Sequence, residues 1–259
     1  MTEINSFYFD RQQLDFLARK FHDQYLNARP FPHIILDDFL PTAVIKKIVE
    51  EFPSSETFHW KALYNPKENK ASCEDETKLG KNTRHLIYQF NSSPFLEFLE
   101  RLTGINGLIP DPHLRGGGLH QIGRGGYLKI HADFNYYPKL KLERRINLLL
   151  YLNENWQEEY GGHLELWNKE MAQCEKKALP ILNRCLIFST TDSAYHGNPD
   201  PLNCPPNRYR RSLALYYYTS NRPSEEKTEP HFTLFKKRPG ENWQKRSLFK
   251  KLLEKISKL

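Results

Sequence analysis

From Leu114 to Tyr218 the chain is a succession of short β-rich runs separated by Gly, Asn and Pro: Gly118 to Ile122, Tyr127 to His131, Ile146 to Leu152, His163 to Trp167, Arg184 to Ser189, Tyr195 to Gly197 and Arg211 to Tyr218. The gaps are mostly too short for the crossover helix that a parallel pair of strands needs. The pairing is therefore expected to be antiparallel, which argues against a βαβ fold. Short strands in this number and at this spacing predict a sandwich or barrel, with a double-sheet jelly roll as the best match. Ahead of them, Leu14, Leu17, Phe21 and Tyr25 recur at helical spacing within Phe9 to Leu26, and a brief β-like run follows at His33 to Leu36. Val44, Ile45, Ile48, Val49 and Phe52 mark one face of a second helix starting at Thr42, and a third is predicted over Pro94 to Leu102. The polar stretch Pro53 to Thr83 has no periodicity and predicts a long exposed loop. The expected class is mostly β with flanking helices (α+β). A helical flanking region over 1–110 packs on a double-stranded β-helix (jelly-roll, cupin-like) core over 111–222, and an extension follows over 223–259.

Charge is concentrated in that extension. The chain of 259 residues has a net charge of +7, and Asn221 to Leu259 holds 11 Lys or Arg against 5 Glu, which leaves the preceding 220 residues at only +1. A nearly neutral body lacks the broad basic groove that a phosphate backbone requires, which argues against a nucleic-acid partner. No apolar run approaches the roughly 20 residues needed to span a bilayer, and charges interrupt Met1 to Lys20 where a signal peptide would have its apolar stretch. Cys73, Cys174, Cys185 and Cys204 are far apart, with no C-x-x-C pair, and read as reduced thiols of a cytoplasmic protein.

His131 and Asp133 stand two apart at a predicted strand end, so their side chains leave the same face with α-carbons about 6 to 7 Å apart. His196 follows another apolar strand, Leu186-Ile187-Phe188. Two imidazoles and a carboxylate on one face, with the opposite positions open, suit a non-haem Fe(II) that activates oxygen. Taken alone, the spacing fits equally a surface His-Asp pair beside an unrelated turn histidine. Further on, Arg210-Arg211 opens an otherwise apolar and aromatic strand. A guanidinium there is costly without an anionic partner, and its planar fork suits a carboxylate such as that of 2-oxoglutarate.

Together these residues resemble the Fe(II)/2-oxoglutarate-dependent dioxygenases, and within them the prolyl-4-hydroxylase-like group. The resemblance rests on Gly125-Gly126-Tyr127, His131 and Asp133, Tyr151-Leu152-Asn153 with Trp156, Gly161-Gly162-His163-Leu164, the Leu186-Ile187-Phe188 strand, His196, and Arg210 leading to Tyr216-Tyr217-Tyr218, in that order. It implies that His131, Asp133 and His196 ligate Fe(II), that Arg210 pairs with the distal carboxylate of 2-oxoglutarate, and that Tyr151 and Ser212 add hydrogen bonds to it. Arg210 is preferred to Arg211 because Arg210-x-Ser212 reproduces the superfamily's R-x-S pattern. The resemblance also implies oxygen as co-substrate, succinate and carbon dioxide as co-products, and hydroxylation rather than halogenation, because Asp133 fills the position that halogenating relatives leave to Gly or Ala. Two departures stand out: the Pro-rich stretch between His196 and Arg210 is long, and Gln121 occupies the place of a co-substrate tyrosine.

Substrate contacts in such folds come from loops at the mouth. Asn135, Tyr136 and Arg115 are the substrate-side candidates, and Trp60 to Arg84 is long enough to form a lid. An amino acid, a peptide or another small molecule all remain open as substrate. So do two other classes: a cupin-type metal oxygenase that does not use 2-oxoglutarate, and a non-catalytic jelly-roll binding protein. Leu248, Phe249, Leu252, Leu253, Ile256 and Leu259 line one face of a predicted basic C-terminal helix. It is expected to pack on the sandwich or to join two copies into a homodimer.

Overall fold

The computed structural model describes residues 7–54 and 58–243. Its elements in order are α1 (Arg11–Leu26), β1 (His33–Leu36), α2 (Thr42–Glu50), β2 (Lys61–Asn65), β3 (Glu68–Cys73), α3 (Lys81–Phe90), α4 (Ser93–Thr103), β4 (Ile109–Pro110), β5 (Gly118–Ile122), β6 (Tyr127–Ala132), β7 (Tyr136–Tyr137), β8 (Leu142–Tyr151), β9 (Leu164–Trp167), β10 (Cys174–Ala178), β11 (Cys185–Ser189), β12 (His196–Asn198), β13 (Arg210–Thr219) and β14 (Leu234–Phe235). Every strand pairing among the described residues is antiparallel. One half of the sandwich runs β1-β11-β8-β13-β5-β3 and the other β6-β12-β9-β10, and the β3–β6 pairing at Asn69 and Tyr127 joins them.

Alternation along the central strands decides what each face does. On β13, Leu213, Leu215 and Tyr217 join the large apolar cluster beneath the helices, with Ile146, Leu148 and Leu150 of β8 and Ile187 of β11. The intervening Arg210, Ser212 and Tyr216 line the interior of the sandwich, beside Asn147 and Leu149 of β8. On the helical side, Phe90, Phe95, Phe98 and Leu99 of α3 and α4 are at most 2% exposed, so these helices are fixed by burial of one face. α1 starts at Asp10, whose carboxylate accepts from the Gln13 backbone N–H at 2.8 Å, and α4 ends at Gly104 in the left-handed conformation.

One expectation needs correction. Pro53 to Thr83 is not a long loop: it holds the β2–β3 hairpin and the start of α3, and β3 pairs with both β5 and β6. Polarity hid the hairpin because Lys61, Glu68 and Lys70 line a cavity rather than the apolar core. β1 to β4, from the first 110 residues, and β14, from beyond residue 222, are hydrogen-bonded into the same sheet as the strands between them. The four cysteines are free, and no described helix is long and apolar enough to cross a membrane. The predicted C-terminal helix and the dimer contact drawn from it lie outside the described residues.

Candidate metal centre and anion pocket

His131 lies on β6 directly opposite His196 of β12, their rings 4.4 Å apart, and Asp133 follows just past the end of β6. His131 Nε2 is 3.6 Å from Asp133 Oδ1, and His196 Nε2 is 3.4 Å from Oδ2. One ligand atom from each residue lies within 4.8 Å of the others, close enough to hold a single ion. Each His Nδ1 faces a backbone carbonyl, that of Lys129 at 2.8 Å for His131 and that of Ala194 at 2.9 Å for His196. A carbonyl can only accept, so Nδ1 carries the proton and Nε2 turns a lone pair inward. Two lone pairs and a carboxylate facing one another in a buried site are offset by a cation, and two imidazoles with one carboxylate are a donor set suited to Fe(II). Burial, then the neighbouring His131, push the His196 pKa down to about 4. For Asp133, burial alone would raise the pKa, but Arg144, His196 and His131 outweigh it and hold the carboxyl well below its ordinary value.

Two of the residues that set Asp133 were not foreseen. Arg144, 1% exposed, reaches Oδ2 at 3.1 Å, and Asn147 Nδ2 donates to the same oxygen at 2.6 Å. Arg144 also donates to Asn147 Oδ1 and lies over the Tyr216 ring at 3.5 Å. Positions 144 and 147 are an odd number apart, so a regular strand would send them to opposite faces. The register shift opposite Tyr217 and Tyr218 leaves Arg145 as the extra residue and brings Arg144 to the site.

The triad opens into a cavity of about 530 Å³ that Arg210 and Ser212 also line. Arg210, 5% exposed, donates from Nε to the Gly162 carbonyl at 2.7 Å and from a terminal nitrogen to the Tyr151 hydroxyl at 3.2 Å. No carboxylate among the described residues is within ion-pair distance of it. Ser212 sits opposite Tyr151 on one side and His120 on the other. Arg211 points the other way, its guanidinium 4.6 Å over the Phe52 ring. Gly162 permits the Arg210 contact, because a Cβ there would fall 2.6 Å from Leu202 and 3.0 Å from the Arg210 side chain. The β5 register also turns His120, not Gln121, toward the cavity, so Gln121 faces away from the co-substrate side.

Of the substrate-side candidates, Arg115 lines the cavity, stacked on Phe134 and Tyr137. Asn135 and Tyr136 do not. Asn135 uses its amide to hold the segment after β13, donating to Thr228 Oγ1 and the Glu229 carbonyl and accepting from the His231 N–H. Tyr136 pairs with Glu143 across β7 and β8. The segment that Asn135 holds forms a wall of the site. β14 pairs with the end of β6, Phe235 packs on His131 at 5.4 Å, and Phe232, Thr233 and Phe235 line the cavity. Arg238 to Asp200 and Lys129 to Glu241 anchor its far end. Lys61, Leu63, Glu68, Lys70 and Glu74 of the β2–β3 hairpin and the turn after it line the cavity too. Neither wall had a sequence signal, since the hairpin is polar and the run at Phe232 to Phe235 is very short, and each is paired only in the folded chain.

Residues 117–218 match the model of the 2OG-Fe(II) oxygenase superfamily. Among solved structures, a prolyl-4-hydroxylase from Pseudomonas putida is similar with a TM-score of 0.56 at 14% identity, over 78% of this chain and 98% of that one. A prolyl hydroxylase from Trichoplax adhaerens, in complex with a peptide fragment of the hypoxia inducible factor oxygen degradation domain, gives 0.55 at 21% identity, over 80% and 91%. HygX from Streptomyces hygroscopicus, with nickel, 2-oxoglutarate and hygromycin B bound, gives 0.50 at 11% identity, over 87% and 97%. At these identities the structural likeness speaks for the fold: the double-stranded β-helix with helices on one side.

Proposed function

We propose that this chain, a 2-oxoglutarate- and Fe(II)-dependent oxygenase of the prolyl-4-hydroxylase-like group, hydroxylates an unactivated C–H bond of an amino acid, peptide or small-molecule substrate. One oxygen atom of O2 enters the product as hydroxyl and the other enters succinate as 2-oxoglutarate loses carbon dioxide. The observation that carries the reading is a single cavity with a His131, Asp133 and His196 triangle and a buried Arg210 that has no acidic partner among the described residues.

In this reading His131, Asp133 and His196 hold the metal, and Fe(II) bound there supplies the centre at which oxygen is activated. Arg210 receives the distal carboxylate of 2-oxoglutarate. Tyr151 and Ser212 stand beside it to orient that end through their hydroxyls. Arg144 and Asn147 both reach Asp133 Oδ2 and so fix the carboxylate against the two imidazoles. Phe188 and Phe235, at 4.7 and 5.4 Å from the two imidazoles, keep water from the ligand side. A cupin-type oxygenase without 2-oxoglutarate would have no use for Arg210 as it stands, buried and without a counter-anion.

The test is to give purified protein Fe(II) and 2-oxoglutarate and measure succinate. Slow turnover without substrate is expected, and Asp133→Ala should abolish both metal binding and turnover. A variant that kept both would refute the ligand assignment. Mass-spectrometric screening of amino acids, peptides and glycans for a gain of one oxygen then identifies the substrate class.

A further inference from the structure

The cavity holds more positive charge than its own acids and the co-substrate account for. Arg144 is matched by Asp133 at 3.1 Å and Lys61 by Glu74 at 2.8 Å. In the reading above Arg210 takes one carboxylate of 2-oxoglutarate, and the other belongs with the metal. Lys70 is left over. It stands on β3 with a side chain 13% exposed, lining the cavity, and its nearest acid, Glu68, is 4.0 Å away, at the outer limit of an ion pair. No hydrogen bond reaches Lys70 Nζ from the described residues, and Glu68 Oε1 already accepts from Asn65 Nδ2 at 3.0 Å.

Burial pushes the Lys70 ammonium below the ordinary lysine pKa, and Glu68, Asp133 and Glu74 only partly restore it. His120 offers no negative charge. Burial, then Lys70, push its pKa down to about 3, and its Nε2 is 3.1 Å from the Gly116 carbonyl. A buried ammonium so poorly matched is costly unless a ligand brings the anion. The charges that Lys70 feels come from Glu68, Asp133, Glu74 and Arg144, on the metal-position and hairpin sides of the cavity. Arg115 adds a second cation, its guanidinium 4.7 Å over the Tyr137 ring with no carboxylate in ion-pair range among the described residues.

We propose that the substrate presents a carboxylate to Lys70, with Arg115 as a second cationic contact. The inference rests on the oxygenase reading and narrows its substrate to a molecule with a carboxylate near the reacting C–H bond. That carboxylate belongs either to a free small acid or to an acidic or C-terminal residue of a peptide.

The experiment offers the Fe(II)- and 2-oxoglutarate-loaded protein matched probes: free amino acids against their carboxamides, and short peptides bearing a side-chain or C-terminal carboxylate against their amidated forms. Succinate and oxygen gain are read in each case. Labelling of Lys70 by an amine-reactive reagent is mapped separately in the Mn(II)-loaded protein. Carboxylate probes are expected to outperform their amides by about 10- to 100-fold, the range of a charge-assisted contact, and to shield Lys70 from the label. Mn(II) with 2-oxoglutarate alone should not shield it. Lys70→Met should remove the preference, with the loss falling on probe KM more than on 2-oxoglutarate KM, and Lys70→Arg should restore part of it. Whether the free acids or the peptides respond identifies the source of the carboxylate. Shielding by 2-oxoglutarate alone, or a panel in which no carboxylate exceeds its amide in turnover or shielding, overturns the assignment. Wild-type protein that forms no succinate removes the oxygenase reading and this one with it, whereas succinate without a carboxylate preference removes only this one.

Discussion

Replacing Arg210 by Met separates a co-substrate contact from a structural cation. Arg210 is 5% exposed and has two neutral acceptors, the Gly162 carbonyl and the Tyr151 hydroxyl, but no acid among the described residues. In the free protein, Arg210→Met relieves a buried unpaired charge and loses the Gly162 and Tyr151 hydrogen bonds. The two effects oppose each other, so the free protein should change by no more than about 1 kcal/mol. With 2-oxoglutarate present the balance is different. Losing the guanidinium leaves a carboxylate without its charge-assisted bonds, a loss of about 3 kcal/mol or more, roughly 100-fold in Kd. At a concentration 100 times the wild-type Kd, the ligand stabilises wild type by about 2.7 kcal/mol and the variant by only about 0.4 kcal/mol. At roughly 2 to 4 °C per kcal/mol for a chain of this size, a wild-type Tm shift of about 5 to 10 °C should shrink to about 1 or 2 °C. Thermal scans of Mn(II)-loaded protein with and without 2-oxoglutarate measure both quantities. Arg211→Ala, which removes only the outward contact with Phe52, should keep nearly the full shift. If Arg210→Met melts several degrees lower on its own yet retains the wild-type shift, Arg210 is a structural cation and the co-substrate binds elsewhere.

Arg144→Met removes the cation at Asp133 Oδ2, and metal affinity is expected to fall about 10- to 100-fold in a chelator competition, as for other groups that orient a ligand. Gly162→Ala places a methyl against Leu202 and Arg210 at a φ of +75°, so 2-oxoglutarate Kd should rise about 10-fold or more in the same thermal assay. The wall after β13 is held in part by Asp200, whose pKa the Arg238 hydrogen bond depresses. A depressed carboxyl contributes stability that is present above its unfolded value, about 4, and is lost as pH falls through the lower folded value. The protection factor of β14, which is exchange corrected for the intrinsic pH dependence of amides, should therefore hardly change from pH 7 to 5 and fall only in more acid solution. Asp200→Asn should lower that protection modestly already at pH 7, because an exposed pair is worth at most about 1 kcal/mol.

Much of the candidate site could be read from the chain because its residues sit on regular strands, where side-chain direction follows from position. The two-residue step from His131 to Asp133 and the alternation of Arg210 and Arg211 both follow the period-two rule, and the observed faces agree. Asn153, in the Tyr151-Leu152-Asn153 landmark, is also legible, and its work is partly structural: it accepts from the Arg211 N–H and donates to the Pro180 and Arg211 carbonyls, fixing where β13 begins.

By itself the sequence determined the antiparallel class and the helical flank from local period and spacing, whereas the candidate set His131, Asp133 and His196 and the choice of Arg210 over Arg211 came from the order of landmarks that the chain shares with a known family. The tertiary structure decided how the set is held and what closes around it. Arg144 reaches Asp133 only through a bulge that appears when β8 pairs with β13, an irregularity no period reveals. The β2–β3 hairpin is too polar and the strand at Leu234 too short to signal themselves, and they become walls of the cavity only by pairing with β5 and β6. Lys70 shows the reason most clearly. On the chain it is one lysine in a polar run, and its significance comes from burial beside Asp133 and Arg144, a property of distant segments brought together rather than of the run that contains it.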